Sequence, residues 1–525
     1  MGKKAMDLLL GIDIGTTGCK SVFYNTEGVA AATGYREHEM QFLYDGWAEI
    51  DPEQWWDGVC ASTREALAVL EDDDVHVLGI CISCANAIIP ADREGLRLSR
   101  AVMQVDRRSQ EQCRLAAELI PQKVFLEKTG NYVRTGGFSP SVILWFRDNA
   151  REIYDRTYKF LAPSGYIVHK MTGNFSIDFS LASTAALMDI KTLKWSDEIC
   201  ATLGIDIEKL PELFSQETTA GKLLPEAARA MGLEPDIPVA VGLMDSTAAM
   251  IGSGCISVNM VSLVIGTVSR LCCTMAEPNF HESFLNAFFI REIPCLAMAP
   301  TNGGGVSFRW FTNSFGDHEK ILAETMRMNF YELFDHKASQ IQAGCGGLLY
   351  LPYILGERSP MWDPNARGVF FGINSTHTKA HFVRSILEGV GHATLQNLQL
   401  IERELHGFFD EIVITGGGAK SKIWCEIMSN MLNKCIVRLG HSDCETKGAA
   451  FVAGLMAGVY HSYSDIKRQI HIKDYFYPDK TAAEFYLPLH DVYKSLYCHL
   501  KDDFTSLAKI TKPAAGKLPT MAMSQ

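Results

Sequence analysis

Residues 8–17 have the sequence LLLGIDIGTT, in which an apolar run ends in a Gly-Thr turn. A short apolar run that is bounded by a turn is typical of a buried strand. Residues 259–267, NMVSLVIGT, repeat this pattern, and residues 411–418, EIVITGGG, end another apolar run in three glycines. Two similar units of strand and Gly-Thr turn, about 250 residues apart, predict two similar domains that face each other.

The first 90 residues predict the architecture of the opening domain. Two more strands are expected at residues 21–24 and 29–32, followed by a helix in which Asp51 is the cap and Pro52 the first helical residue. This helix continues to about residue 70, and residues 75–82 predict the next strand. The order strand, strand, strand, helix, strand implies an α/β fold, with helices packed on a mixed sheet.

The repeated unit also predicts the domain boundaries. Helical periodicity dominates residues 105–235, and the second unit begins after residues 252–259. We therefore expect one domain over residues 1–253 and a second over residues 254–505. Residues 506–525 lose the amphipathic pattern and are predicted to form a loose tail.

Composition and charge narrow the class of partner. The chain has 525 residues, of which 49 are Lys or Arg and 61 are Asp or Glu, and its formal net charge is −12. Such a chain lacks the overall excess of positive charge that binds nucleic acid or an anionic membrane. No apolar run approaches the roughly 20 residues that cross a bilayer. Asp7 and Asp13 interrupt the first apolar stretch, which argues against a secretion signal. We predict a cytoplasmic protein that acts on a small molecule and binds neither nucleic acid nor membrane. Its oligomeric state is left open between a monomer and a homodimer.

The fifteen cysteines are scattered and form no paired CxxC elements at zinc-finger spacing. The single CxxC, Cys81 and Cys84, lies in and just beyond the strand predicted at residues 75–82. Small residues on a buried strand account for it better than a redox or metal half-site, and reduced thiols are expected.

Residues 13–20, DIGTTGCK, have the composition of a phosphate-binding turn. Glycines let a backbone approach a phosphate closely, and threonine hydroxyls add donors. Lys20 could reach a phosphate oxygen, and Asp13 is placed to hold a hydrated Mg²⁺, which needs few protein carboxylates. An ordinary hairpin turn is the alternative.

Asp245 follows a buried strand and opens a predicted helix of small residues. One interpretation is a helix cap, a common role for aspartate. The other is a carboxylate between the domains that accepts a proton from a hydroxyl nucleophile. The local sequence leaves both interpretations open.

Several further polar and aromatic residues suit a hydroxyl-rich ligand. Asp106 and Arg107 together offer fixed acceptors and donors, although an exposed capping pair accounts for them equally well. Asn86 follows a predicted strand and is similarly ambiguous. Trp47 and the pair at residues 55–56 could stack on a sugar, but core packing is the better interpretation of the adjacent pair.

Together these motifs resemble the FGGY carbohydrate kinases, which belong to the larger group with the actin and Hsp70 ATPase fold. The resemblance runs from about residue 8 to residue 505, and residues 11–17 are similar to the first phosphate segment of the family. Residues 368–388 fit one long family signature throughout, and residues 137–149 fit the other except at Val142, where the family usually has Lys. Shorter similar segments are residues 46–56, 356–360 and 445–450.

The resemblance implies two ribonuclease H-like domains with a cleft between them, the first for sugar and phosphate and the second for nucleotide. It implies ATP and Mg²⁺ as cofactors, Asp245 as the catalytic base and Asp13 as the acid that helps to place Mg²⁺. Sugar contacts are expected from Asn86, Asp106 and Arg107. Nucleotide contacts are expected from Gly15, Thr16, Thr17, Gly266, Thr267, Gly305, Gly417 and Gly418.

The expected activity is ATP-dependent phosphorylation of a hydroxyl on a small sugar, ketose or polyol, most similar to that of xylulokinases. This chain departs from the family pattern at two places in the expected sugar site. Residues 85–86 are Ala-Asn where xylulokinases usually have Met-His, and Gln104 stands where many relatives have Trp. A kinase for a signalling ketone of the autoinducer-2 type is one alternative. The other is a non-catalytic ATP-binding switch with the actin-like fold.

Overall fold

The computed structural model describes residues 5–70, 74–277, 279–405 and 409–511. The first half contains fifteen described strands and ten described α-helices. The strands are β1 (Ala5–Ile14), β2 (Gly18–Asn25), β3 (Ala30–Glu37), β4 (Glu49–Ile50), β5 (Asp74–Cys84), β6 (Ala87–Ala91), β7 (Ala101–Met103), β8 (Lys159–Leu161), β9 (Ser176–Asp178), β10 (Met188–Asp189), β11 (Lys194–Trp195), β12 (Glu212–Phe214), β13 (Thr219–Lys222), β14 (Pro238–Ala240) and β15 (Leu243–Met244). The helices are α1 (Pro52–Ala68), α2 (Gln110–Leu119), α3 (Gln122–Thr129), α4 (Pro140–Asn149), α5 (Arg151–Arg156), α6 (Pro163–Thr172), α7 (Phe179–Ser183), α8 (Asp197–Leu203), α9 (Pro225–Met231) and α10 (Asp245–Gly252).

The second half begins with the repeated strand and ends with a long helix. Its described strands are β16 (Val261–Ile265), β17 (Ser269–Met275), β18 (Leu285–Ile290), β19 (Ile293–Thr301), β20 (Leu349–Leu351), β21 (Val369–Phe371), β22 (Glu411–Thr415), β23 (Cys435–Leu439) and β24 (Ile472–Phe476). Its described α-helices are α11 (Gly305–Phe315), α12 (Asp317–Met326), α13 (Phe330–Ser339), α14 (Lys379–Leu405), α15 (Lys422–Leu432), α16 (Cys444–Met456) and α17 (Lys480–Thr511).

Each half contains one large mixed sheet, and the two sheets share a central arrangement. In the first, ordered β13-β14-β5-β1-β2-β3, β1 is antiparallel to β2 and parallel to β5. In the second, ordered β18-β19-β17-β16-β22-β23-β24, β16 is antiparallel to β17 and parallel to β22. The same hairpin beside a parallel strand therefore occurs twice, which confirms the predicted repeat and the α/β class.

The strand registers align the ends of the central strands. In the first sheet Ile14 is opposite Cys84, and Cys84 is opposite Met244, so β1, β5 and β15 end at one edge. In the second sheet Val264 is opposite Thr415, so β16 and β22 also end together. Because ligands of open α/β sheets bind at the carboxyl ends of strands, these two edges are where a site is expected.

The two halves pack directly against each other, because α16 from the second half lies against β1 and β5 of the first. Glycines permit this close approach: a Cβ on Gly11 would collide with the carbonyl of Thr446, and one on Gly448 with the carbonyl of Ala248. The first hydrophobic core accordingly includes residues of both halves. The boundary near residue 253 divides the sheets but not the core.

The last helix passes the predicted start of the tail. Helix α17 ends at Thr511, so residues 506–511 are helical, and the rest of the predicted tail lies outside the described residues. No Gly or Pro interrupts residues 506–511, so nothing in the sequence stops the helix there. Its last core side chain is Phe504, which agrees with the loss of amphipathic pattern beyond it.

Two further sequence predictions concern membranes and thiols. Within the described ranges, no helix is both long and apolar enough to span a bilayer. All fifteen cysteines are free thiols. Cys81 and Cys84 lie on β5, where burial raises the pKa of both thiols, which confirms their assignment to a buried strand.

Candidate active site

Three carboxylates come together at the edge where β1 and β5 end. Asp13 on β1 accepts a hydrogen bond of 2.7 Å at Oδ1 from Ser83 Oγ on the neighbouring strand. Burial raises the pKa of Asp13 to about 8, and the negative charges of Glu445 and Asp245 contribute to the rise. Glu445 belongs to the first turn of α16, so this cluster contains residues of both halves.

Asp245 is the first residue of α10 and is not its cap. Met244 occupies the cap position, and no side-chain capping bond is formed there. The Oδ1 atom of Asp245 accepts hydrogen bonds from Ser246 Oγ (2.9 Å) and from Arg270 Nη1 on β17 (3.3 Å). The side chain is 28% exposed and lies where the two halves meet. This position is compatible with the proton-accepting interpretation.

The first glycine turn joins β1 to β2. The Gly15 amide donates to the carbonyl of Gly18 (3.0 Å), and a Cβ on Gly15 would be in ordinary contact with that carbonyl oxygen, 3.4 Å away. Thr16 is half-buried and Thr17 is exposed, so solvent reaches both residues of the turn. Lys20 forms an ion pair with Asp443, which gives its ammonium a protein partner; its contact with phosphate stays a prediction.

The second glycine turn joins β16 to β17 and supports the start of α11. The carbonyls of Gly266 and Thr267 accept hydrogen bonds of 2.8 Å from the amides of Gly305 and Val306. A Cβ on Gly305 would lie 2.7 Å from the Gly266 carbonyl oxygen, so this close approach requires glycine. Gly305 therefore fixes the turn, and its nucleotide contact stays a prediction.

The third glycine turn follows β22 and packs beside the second. Gly416 has a φ of 81°, a conformation that favours glycine. A Cβ on Gly418 would lie 2.6 Å from Cγ2 of Ile265, the residue before Gly266. A Cβ on Gly417 would have no neighbouring atom within 4 Å, so Gly417 borders open space. Bare backbone beside open space is what a flat ring or a phosphate requires for close approach.

The aspartate predicted to hold a sugar is part of a buried ion pair. Asp106 is fully buried, and its carboxylate accepts hydrogen bonds from Arg108 Nε (2.9 Å) and Nη2 (2.7 Å). Arg108 also pairs with Glu49 at 2.7 Å and lies 3.7 Å from the ring centroid of Trp47. Both carboxylate oxygens of Asp106 therefore have protein donors, and its sugar contact stays a prediction. Arg107 is exposed, and its sugar contact stays a prediction.

Asn86 and the tryptophans have different surroundings. Asn86 lies just after β5, accepts a hydrogen bond from the Phe138 amide (2.7 Å) and donates one to Thr184 Oγ1 (3.2 Å). It remains partly exposed, so it is compatible with a ligand contact. Trp47 and Trp55 are buried, which favours core packing over stacking on a sugar.

Arg270 and Glu445 are two charged residues of this site that the sequence motifs did not single out. Arg270 is the only charged residue in the strand SRLCCTM, and a charge in an apolar strand is a signal, because buried charges are paired or functional. Glu445 lies in a segment that resembles the family, but nothing local indicates that it faces Asp13.

The two matching lobes, the glycine turns at their edges and the acids between them define a phosphotransferase of the actin-like ATPase class. Residues 8–252 match the N-terminal domain, and residues 261–457 the C-terminal domain, of the FGGY family of carbohydrate kinases. The chain belongs to this family and is an ATP-dependent carbohydrate kinase, which transfers phosphate to an alcohol group.

Individual relatives are distant but match over their whole length. The chain is 28% identical over 511 residues to a xylulose kinase of Bacillus subtilis, covering 97% of this chain and 100% of the relative. It is 26% identical over 511 residues to a gluconokinase of Bacillus licheniformis, covering 97% and 99% respectively. The fold is similar to that of the xylulose kinase from Lactobacillus acidophilus in a ligand-bound crystal structure, with a TM-score of 0.85 and 23% identity over 95% of this chain and 100% of that one.

Proposed function

We propose that this kinase phosphorylates a primary or terminal hydroxyl of a small open-chain sugar, ketose or polyol, with a xylulose-like ketose as the first candidate. The observation that carries the proposal is the position of Asp245, partly exposed where the two halves meet and beside Asp13. Similarity to both a xylulose kinase and a gluconokinase supports open-chain substrates.

Asp245 acts as the general base in this proposal. Its carboxylate accepts the proton of the sugar hydroxyl, and the sugar oxygen forms a bond to the γ-phosphorus of ATP. The bond from that phosphorus to the bridging oxygen breaks, and ADP leaves with the electron pair. Positioning and electrostatic stabilisation dominate such transfers, which is what the glycine turns at residues 15, 266 and 417 would supply.

Asp13 is the residue proposed to hold Mg²⁺, which would neutralise charge on the phosphates. Its raised pKa fits this role, since a divalent cation stabilises a carboxylate that neighbouring acids disfavour. Among the described residues, no three His, Cys, Asp or Glu side chains are arranged as ligands of one metal ion. Mg²⁺ does not need such a set, because it keeps several waters and uses one or two carboxylates.

The polar atoms near the expected sugar site differ from those of the xylulokinase pattern. Asn86 stands where that pattern has His, and Gln104 stands where many relatives have Trp. The Gln104 Oε1 atom is buried without a hydrogen-bond partner in the described structure. A buried orphan acceptor costs free energy, so a hydroxyl that donates to Gln104 would be favoured. Substrate preference is therefore expected to follow hydroxyl pattern as well as chain length.

The test is Asp245→Asn, assayed by coupled ADP release on a panel of pentuloses, hexuloses, aldonates, polyols and signalling ketones. We expect kcat to fall by about 10²–10⁴, the contribution of a general base, while a non-hydrolysable ATP analogue still binds. Asp45→Asn, at an exposed loop position, is the matched control and should keep wild-type turnover. Near-normal turnover by Asp245→Asn would remove Asp245 from the mechanism.

A further inference from the structure

Arg270 is a largely buried cation with at least one N–H group that has no hydrogen-bond partner among the described residues. It lies on β17 just after the second glycine turn, opposite Val264 on β16 and Pro300 on β19. Its side chain is 19% exposed, and its Nη1 lies 3.3 Å from Asp245 Oδ1. Its Nε is buried with no hydrogen-bond partner among the described residues. Because an unsatisfied buried donor is costly, Arg270 is expected to have a further partner.

The surroundings of Arg270 indicate where that partner lies. Besides Asp245, the guanidinium interacts electrostatically with Glu445 and with Asp13, the proposed magnesium ligand. Arg270 therefore lies close to all three acids that converge at this edge. Lys20, the cation of the first glycine turn, is instead paired with Asp443.

We propose that Arg270 is a catalytic residue that contacts the phosphoryl group during its transfer, an inference that rests on the proposed function. A base must lie about 2.6–3.2 Å from the hydroxyl oxygen that it deprotonates. Arg270 Nη1 contacts Oδ1 of this carboxylate, so a hydroxyl bound to Asp245 would lie close to the guanidinium. From there its remaining N–H groups can reach the phosphoryl oxygens, for which the planar guanidinium fork is well suited.

The charge changes of the reaction give this arginine its role. The sugar proton passes to Asp245, the new O–P bond forms, and the γ-phosphorus separates from the oxygen that leaves with ADP. Negative charge on the three phosphoryl oxygens must be stabilised throughout, and an arginine in this position contributes about 10³–10⁵ in rate in other phosphoryl-transfer enzymes. Since Arg270 belongs to β17 and Asp245 to α10, this stabilisation requires both halves of the molecule.

The experiment compares Arg270→Met and Arg270→Lys with the wild-type protein. Calorimetric titrations with Mg²⁺ measure the affinity for ADP and for a non-hydrolysable ATP analogue separately. We expect Arg270→Met to bind the analogue about 10-fold more weakly and ADP within about twofold of wild type, since only the analogue has a γ-phosphoryl group. Turnover should fall by at least about 10³, with Arg270→Lys intermediate because it keeps the charge but not the fork.

Arg291→Met, at an exposed turn between β18 and β19, is the matched control and should change neither affinity. If Arg270→Met leaves the ratio of analogue affinity to ADP affinity unchanged, whether both affinities are kept or both fall equally, the proposal is overturned. The Arg270→Lys titration decides the question if the methionine variant does not fold. If the wild-type protein phosphorylates no member of the substrate panel, the proposed function fails, whereas the nucleotide titrations still test Arg270.

Discussion

At the scale of single residues, two neighbouring arginines differ in burial and therefore in their expected contribution to stability. Arg108 is 2% exposed and bridges two carboxylates, Asp106 and Glu49. Arg107, one position earlier, is exposed. Removing one partner of a buried ion pair leaves an uncompensated charge, which is far more costly than losing a surface charge.

The corresponding variants are Arg108→Ala and Arg107→Ala. We expect Arg108→Ala to lower the free energy of unfolding by about 3–5 kcal/mol, because Asp106 and Glu49 would be left buried without their cation. Arg107→Ala should change it by no more than about 0.5 kcal/mol. Urea denaturation measures both, and equal effects would contradict the buried-pair assignment.

Residue roles could be predicted from sequence where they depend on local chemistry. Gly15, Gly266 and Gly417 are recognisable because a glycine soon after an apolar strand is typical of a turn that a ligand approaches. Of the three, Gly417 borders open space, whereas a Cβ on Gly15 or Gly266 would be in ordinary contact at 3.4 or 3.7 Å. The cluster around Asp106 and its near neighbour Arg108 was not predictable, because Glu49 and Trp47 are distant in sequence and meet Arg108 only in the folded chain. Arg270 was missed for the same reason: its partner Asp245 belongs to the other half.

At the scale of elements, two long helices of the second half enclose a pair of histidines. His392 on α14 and His490 on α17 are buried, with ring centroids 5.5 Å apart, and Tyr493 stacks on His392 at 5.2 Å. None of their four ring nitrogens has a hydrogen-bond partner in the described structure. Burial lowers the pKa of His392 to about 3 and that of His490 to about 4, and nearby Lys494 contributes to the latter.

These histidines predict an acid-sensitive stability. Their folded-state pKa values lie below the unfolded value of about 6.5, so the unfolded chain binds more protons below that pH. These histidines should therefore not affect the free energy of unfolding above about pH 7. As the pH is lowered from about 6.5 to about 4, that free energy should fall by up to about 1.4 kcal/mol per pH unit for each ring. Urea midpoints at several pH values measure this slope.

His490→Phe should reduce the slope by about the contribution of one histidine. His461→Phe, at an exposed position, is the control and should keep the wild-type slope. A His490→Phe protein with an unchanged pH dependence would show that the acid sensitivity has another source.

At the scale of the whole molecule, the two halves are joined by more than the crossing of α16. Asn131 Nδ2 donates to the carbonyls of Asn286 (2.7 Å) and Ser183 (3.0 Å), and its Oδ1 accepts from the Asn286 amide (3.0 Å). Asn286 Nδ2 donates in return to the carbonyl of Gly130 (2.6 Å). The repeat in the sequence predicts two domains, but not this reciprocal pair or the shared core, because both depend on contacts between distant segments.

The expected consequence is that the molecule unfolds as one unit, which Asn131→Ala tests. This change leaves the buried amide of Asn286 and two carbonyls without partners, so the free energy of unfolding should fall by at least about 2 kcal/mol. Asn149→Ala is the control, because Asn149 is exposed and, among the described residues, its side chain donates only to Trp145 in its own helix. Calorimetry of Asn131→Ala should still show one transition, at a lower temperature, since α16 remains packed on the first sheet. Two separate transitions would mean that the asparagine pair, rather than the common core, makes the halves cooperative.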